Sequence, residues 1–200
     1  MANKPFSDQL EAWLNSSKPK TVISLNEVFA EKSFAITFLI LMALPALPIP
    51  TGGITHVFEI IVMLLSLELI VGRRTIWLPK RWSKLEVPGP IRKKLLPLLM
   101  RRVRWFERFS RSRFGGFINH PLFLRLIGVI VLGMTAGAFI APPFSGLDTL
   151  PAMGVFVMSL GLILDDALIL LMGFVVGSIG ITLTITLGTV ITKTVQAFFR

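Results

Sequence analysis

The sequence predicts an all-α integral membrane protein. Two Pro/Gly-elbowed helical hairpins flank a basic cytoplasmic segment, and one more transmembrane helix ends the chain. Three observations carry this expectation. Apolar residues make up 53% of the 200 and charged ones 16%, against about 25% charged in soluble domains. The apolar residues are gathered into long runs from Phe34 onward, as lipid-facing segments require. Between those runs, residues 73–113 hold fourteen Lys and Arg against Glu86 and Glu107, a net +12 that exceeds the +10 of the whole chain. Positive loops between apolar blocks stay in the cytoplasm. Nucleic-acid binding would fit the charge but not the hydrocarbon flanks, so anionic membrane lipids are the expected partner and no nucleic acid is.

These shifts divide the chain into a polar N-terminal segment (1–32), a first membrane hairpin (33–72), the basic cytoplasmic or interfacial segment (73–120), and a second hairpin with the C-terminal helix (121–200). In the first segment no apolar core lies near Met1, so a cleavable signal peptide is not expected. Phe6, Leu10, Trp13 and Leu14 recur at helical spacing with Asp8 and Glu11 between them, which reads as a short amphipathic surface helix. A second short helix can start at Ser24 or Asn26.

From Ser33 the chain turns apolar, and Pro45, Pro48 and Pro50 interrupt it. A run of about 15 residues covers about 22 Å, short of the roughly 30 Å of hydrocarbon. Either the helix continues through Pro45 with a kink or the element is re-entrant. Thr51-Gly52-Gly53 turns the chain, and Thr55 is a fair N-cap for a helix over 56–71. In the basic segment, Trp77 and Trp82 suit headgroup depth. Pro88-Gly89-Pro90 is a hinge, and 91–114 is amphipathic, with Leu95, Leu99, Val103 and Phe106 on one face. The second apolar block gives a span over 122–140, an elbow at Pro142-Pro143 and Ser145-Gly146, a return helix over 149–164 beginning after Asp148, and a last helix over 167–195. Gly177, Gly180 and the threonines at 182, 184, 186 and 189 are possible interruptions of that last helix. Gly133/Gly137 and Gly173/Gly177 are GxxxG pairs, which favour close helix packing. Self-association or contact with other membrane proteins is the partner they suggest.

A shift of 93 overlays the two halves without a gap. Pro50 falls on Pro143, Gly53 on Gly146, Thr55 on Asp148, Val62 on Val155 and Ser66-Leu67 on Ser159-Leu160, with seven identities in the 27 positions from 45 to 71. The alignment of Pro, Gly and cap positions argues for an internal repeat. Transporters built from repeats often place a site where broken helices meet. The alternative is a duplication kept for packing alone.

The runs LPALPIPTGG and LLSLELIVGRRTIWLP, then the basic stretch, then PPFSGLDTLPAMGVFVMSLGLILDDALILLMG resemble the ExoD family of bacterial membrane proteins linked to exopolysaccharide synthesis. Gly72-Arg73-Arg74 followed by Trp77-Leu78-Pro79 is the most specific piece. The chain departs from the family where it has Glu68 in place of a frequent Gln, and Asp148-Thr149-Leu150-Pro151 in place of an Asn-x-Pro elbow. The resemblance implies the bacterial inner membrane and a role in exopolysaccharide production, and names no reaction.

No cysteine is present, which removes thiolate nucleophiles and thiolate metal sites. Phosphate-loop, HExxH and dinucleotide motifs are also lacking. No catalytic residue, cofactor or metal ion is therefore expected, and nothing points positively to an enzyme. The candidates for substrate or ion binding are Pro50, Gly53, Thr55, Glu59, Pro143, Gly146 and Asp148 at the elbows, with Arg73 and Arg74 at the end of the first hairpin. Ionisable groups in apolar helices are functional suspects. Glu59 can exchange protons or bind a cation, or simply meet water and the positive dipole end of its helix. Asp148 is either a site residue or an N-cap. Asp165 and Asp166 are a cation pair or a solvated turn. Arg73 and Arg74 are dipole anchors or a grip on lipid phosphate. Three functions follow: a small carrier of a lipid-linked or ionic substrate, a non-catalytic scaffold subunit, or a proton or ion pathway.

Overall fold

The computed structural model describes residues 6–17, 32–48, 54–77, 101, 104–105, 120–141 and 145–198. Among them lie six α-helices and no strand: α1 (Phe6–Asn15), α2 (Ser33–Met42), α3 (Ile54–Val71), α4 (Pro121–Ile140), α5 (Thr149–Leu164) and α6 (Ala167–Phe198). The all-helical expectation holds. The expected helix near Ser24, the Pro88-Gly89-Pro90 hinge and Trp82 lie outside the described residues. So does most of the amphipathic stretch 91–114, of which Arg101, Arg104 and Trp105 are helical and exposed. Arg104 pairs with Glu11 on α1.

The first apolar run does not continue through Pro45. Helix α2 stops at Met42, and Ala46 N–H donates to the Met42 carbonyl at 2.9 Å. A proline disfavours helical dihedrals at the residue before it, so the chain turns over 43–47 instead of kinking. With ten residues, α2 is about 15 Å long. Its sequence is apolar on all sides, which suits a helix enclosed by others. Phe34, Ala35, Ile36, Phe38, Leu39 and Met42 are all buried.

Around α2 the packing follows a regular scheme. Helix α3 lies along α4 and α2 along α5, while α4 also meets α5 and α6 covers α5. The core runs through Phe38, Met42, Val62, Val131, Val155 and Met158, each with no exposed surface apart from rounding. Helix α6 is continuous, so Gly177, Gly180 and the threonines do not interrupt it. Each threonine hydroxyl bonds a carbonyl three or four residues back, such as Thr182 to Ser178 at 2.9 Å, leaving the helical ladder intact. Of the two GxxxG pairs, Gly173 and Gly177 are used inside the fold. A Cβ on Gly154 would run into the Gly177 backbone, and one on Gly173 into Met158 N, whereas nothing lies within 4 Å of Gly133.

Helices α4 and α6 are long and apolar enough to cross a membrane. Only 33% and 28% of their most hydropathic windows is buried. A core helix of a soluble protein would be mostly covered. Their outward rows, among them Leu122, Leu126 and Val129 on α4 and Leu171, Met172, Val175 and Ile179 on α6, are exposed apolar side chains of the kind a lipid-facing surface presents.

Candidate functional site

The buried stripe of α3 is Thr55, Glu59, Val62, Ser66 and Leu69, spaced alternately four and three as one helix face requires. Glu59 thus occupies a position that packing otherwise fills with apolar or hydroxyl side chains. Its side chain is 0% exposed. His56, one turn earlier on the same face, brings Nδ1 to 2.7 Å from Glu59 Oε2 and keeps 27% of its own side chain exposed. Glu59 Oε1 has no hydrogen-bond partner among the described residues. A carboxylate withdrawn from water in this way is costly unless paired, and His56 engages only one of its two oxygens.

The ring of His56 stands edge-on to Phe139, centroids 5.2 Å apart. This contact joins the first turn of α3 to the last turn of α4. Asp148, which precedes α5, acts electrostatically on Glu59 as a second negative group. Thr184 Oγ on α6 donates to the Leu147 carbonyl at 3.1 Å. The start of α3 and the end of α4 therefore lie at one end of the bundle, with Asp148 before α5 close enough to Glu59 to act on it.

Of the residues expected in the site, the structure gathers Thr55, Glu59 and Asp148. Pro50, Gly53 and Pro143 lie outside the described residues. Gly146 turns the chain with φ +68°. Thr55 is not an N-cap: it lies within α3 and is buried. Asp148 holds the N-cap position of α5 but with helical dihedrals (φ −68°, ψ −28°) and no capping bond from its side chain. Glu59 does not meet water at the helix start. Arg73 and Arg74 are exposed at the far end of α3, about 21 Å of helix axis from Glu59. There Arg73 lies 3.8 Å from Glu68, and the Glu68 carboxylate accepts from Trp77 N–H at 2.9 Å. They do not share the elbow site.

The turn at Asp165 and Asp166 is not solvated. Asp166 is 2% exposed and caps α6, accepting from Leu168 N–H at 2.9 Å. Asp165 pairs with Lys32 at 2.8 Å, and Lys32 also donates to the Ile163 carbonyl. A lysine already occupies the place where a cation was considered. His56, Lys32 and Phe139 carry geometry that sequence reading did not assign. His56 alone left a signal, since its i, i+3 spacing to Glu59 places both on one helix face.

Comparison with known proteins bears on the whole chain. Residues 6–186 match the family described as "Exopolysaccharide synthesis, ExoD". An uncharacterised Synechocystis protein, slr1875, is 28% identical over 205 residues, covering 98% of this chain and 89% of its own length. Protein ExoD of Rhizobium meliloti is 30% identical over 183 residues, covering 86% of this chain and 73% of its own length. No solved structure matches. With nearly all of the described helical core inside the matched span, this chain belongs to the ExoD family.

Proposed function

We propose that this chain is a multi-pass inner-membrane protein that serves exopolysaccharide synthesis as a small carrier of a lipid-linked or ionic substrate, working at the joined elbows. Family membership supports the process. The observation that carries the mechanism is Glu59, a fully enclosed carboxylate with one oxygen unpartnered among the described residues. A group so expensive to bury is retained where it acts. Two acids, Glu59 and Asp148, stand where the helix starts alone would attract an anion, so the site favours a positive species or a neutral group that donates hydrogen bonds.

The repeat reading supports the carrier. Under the 93-residue shift, the α3–α4 contact maps onto the α5–α2 contact, and the α2–α3 contact onto the α4–α5 contact. Ser66 bonds the Val62 carbonyl at 2.7 Å and its counterpart Ser159 bonds the Val155 carbonyl at 2.7 Å. Two like halves packed around one end are a frame that can rock about a site. In this reading residues 73–113 lie on the cytoplasmic face against anionic lipid.

The test is polysaccharide yield in a strain lacking the native gene and complemented with Glu59→Gln, at matched membrane levels. A carrier loses yield by about tenfold or more, as when an essential group is removed. Wild-type yield would reject the carrier and leave the scaffold subunit as the better account.

A further inference from the structure

Resting on the carrier reading, we infer that His56 and Glu59 form a proton-binding dyad, in which His56 relays a proton between the protein surface at the start of α3 and the enclosed Glu59 carboxylate. The two residues differ in the property a relay needs. His56 is 27% exposed and Glu59 is 0% exposed, and 2.7 Å separates Nδ1 from Oε2. One end of the pair reaches the protein surface and the other does not.

The step balances without a further reactant. Hydronium delivers a proton to His56 Nε2 and leaves as water, while the Nδ1–H bond breaks and its proton forms an O–H bond at Glu59 Oε2. The ring returns in its other tautomer. The dyad passes from one negative charge to none, and the reverse sequence releases the proton. Histidine suits this role because its two nitrogens exchange donor and acceptor parts near neutral pH. A bound metal ion suits the site less well. Among the described residues no three His, Asp or Glu side chains converge, and Oε2 is already engaged by the ring.

Few other charges bear on the dyad. Helix α2 has no ionisable side chain, and neither does α5 within Thr149–Leu164. Arg125, the one ionisable residue of α4, lies against Gly72 at the opposite end of the bundle. Asp148, just before α5, is the other ionisable group that bears on Glu59, and Glu68 is nine residues further along α3.

Infrared difference spectroscopy of the full chain in lipid, stepped from about pH 4 to about pH 9 across the range in which carboxyls and histidine titrate, tests this directly. Wild type should show a protonated-carboxyl band that titrates reversibly and is missing in Glu59→Gln. A band that survives that substitution, or no titrating band at all, overturns the proposal. In His56→Gln the band should persist while its hydrogen–deuterium exchange slows by roughly tenfold or more, as loss of a positioned acid–base group gives. An unchanged exchange rate overturns the relay. Should Glu59→Gln fail to insert, Asp148→Asn keeps the carboxyl in place and should move the midpoint of its titration; an unmoved midpoint refutes the dyad as drawn. A titrating Glu59 with normal polysaccharide yield would instead refute the carrier and leave the proton site standing.

Discussion

Gly72 and Asp165 stand 93 residues apart and end α3 and α5 in the same manner. Both adopt left-handed dihedrals, with φ +95° and +53°, and Asp165 is the one non-glycine residue among those described that does so. Behind each, the next residue closes the same backbone bond: Arg73 N–H to the Glu68 carbonyl at 3.1 Å, and Asp166 N–H to the Gly161 carbonyl at 2.9 Å. This is the six-to-one bond of a Schellman ending. Each ending also receives a basic side chain from the start of another helix. The Arg125 guanidinium abuts Gly72 and Lys32 reaches Asp165, and Lys32 and Arg125 are themselves 93 positions apart. Cations at helix C-termini are favoured by the dipole.

Gly72→Ala should therefore destabilise. A Cβ at φ +95° is strained, costing about 1–2 kcal/mol, and it would sit 2.7 Å from an Arg125 nitrogen. That guanidinium is the far end of a flexible side chain and can move, so the dihedral cost dominates. Thermal unfolding in detergent measures it. Stability equal to wild type would show that the α3 ending relaxes elsewhere.

How much of this was legible beforehand depends on the kind of signal. Helices α1 and α5 fall at the residues their periodicity and punctuation mark, and α3 and α4 start within two residues of expectation, because proline and glycine fix boundaries locally. The end of α2 was ambiguous, since proline permits either a kink or a stop and tertiary packing decides. In the site, Glu59 and Asp148 were recognisable as ionisable groups among apolar ones. The His56–Phe139 ring contact and the Lys32–Asp165 pair were not, because both join distant parts of the chain. The burial of Asp166 was equally hidden, as paired aspartates in a turn resemble a solvated loop until a lysine 133 residues from Asp165 is found beside it.

The Lys32–Asp165 pair joins the start of α2 to the end of α5, with side chains 24% and 13% exposed. Asp165 Oδ1 has no partner among the described residues, so the lysine provides the main compensation for its charge. Lys32→Met should cost about 2–3 kcal/mol, below the full penalty of a buried orphan because some solvent reaches the pair. The double variant with Asp165→Asn should recover part of the loss, a coupling that a double-mutant cycle in thermal unfolding reads out. Strictly additive losses would show that the pair contributes nothing.

Gly154 and Gly133 make a contrast on the same chemistry. At Gly154 an added methyl meets the backbone of Gly177 and Gly173, and at Gly133 it meets nothing within 4 Å. Gly154→Ala should force α5 and α6 apart at a cost of about 1–3 kcal/mol. Gly133→Ala should be neutral or stabilise by a few tenths up to about 1 kcal/mol through helix propensity. If Gly133→Ala instead destabilises in lipid while remaining neutral in detergent, its open face is a contact with another membrane protein or a second copy.

The last prediction concerns which ends of the bundle face which side. Helix α2 lies against α5 with Lys32 at the end of α5, so the two run in opposite directions. Helix α3 lies against α4 with His56 at the end of α4, so they do likewise. Both elbows therefore occupy one end, and the chain enters and leaves the basic segment at the other, where Arg73 and His120 are found. The charge rule predicts that a segment of net +12 stays in the cytoplasm, which would put the elbows at the opposite face or in the depth of the membrane. The chain has no cysteine, so single cysteines report cleanly. Ser83→Cys and Ser110→Cys should resist an impermeant thiol reagent in intact cells and react in inverted vesicles. Leu47→Cys and Ser145→Cys, both at exposed elbow positions, should behave alike. Labelling of both from outside means that the hairpins span fully, and shielding of both from either side means that the elbows are re-entrant and enclosed. Labelling of the two elbows from opposite faces would contradict the shared end, and with it the site beneath it.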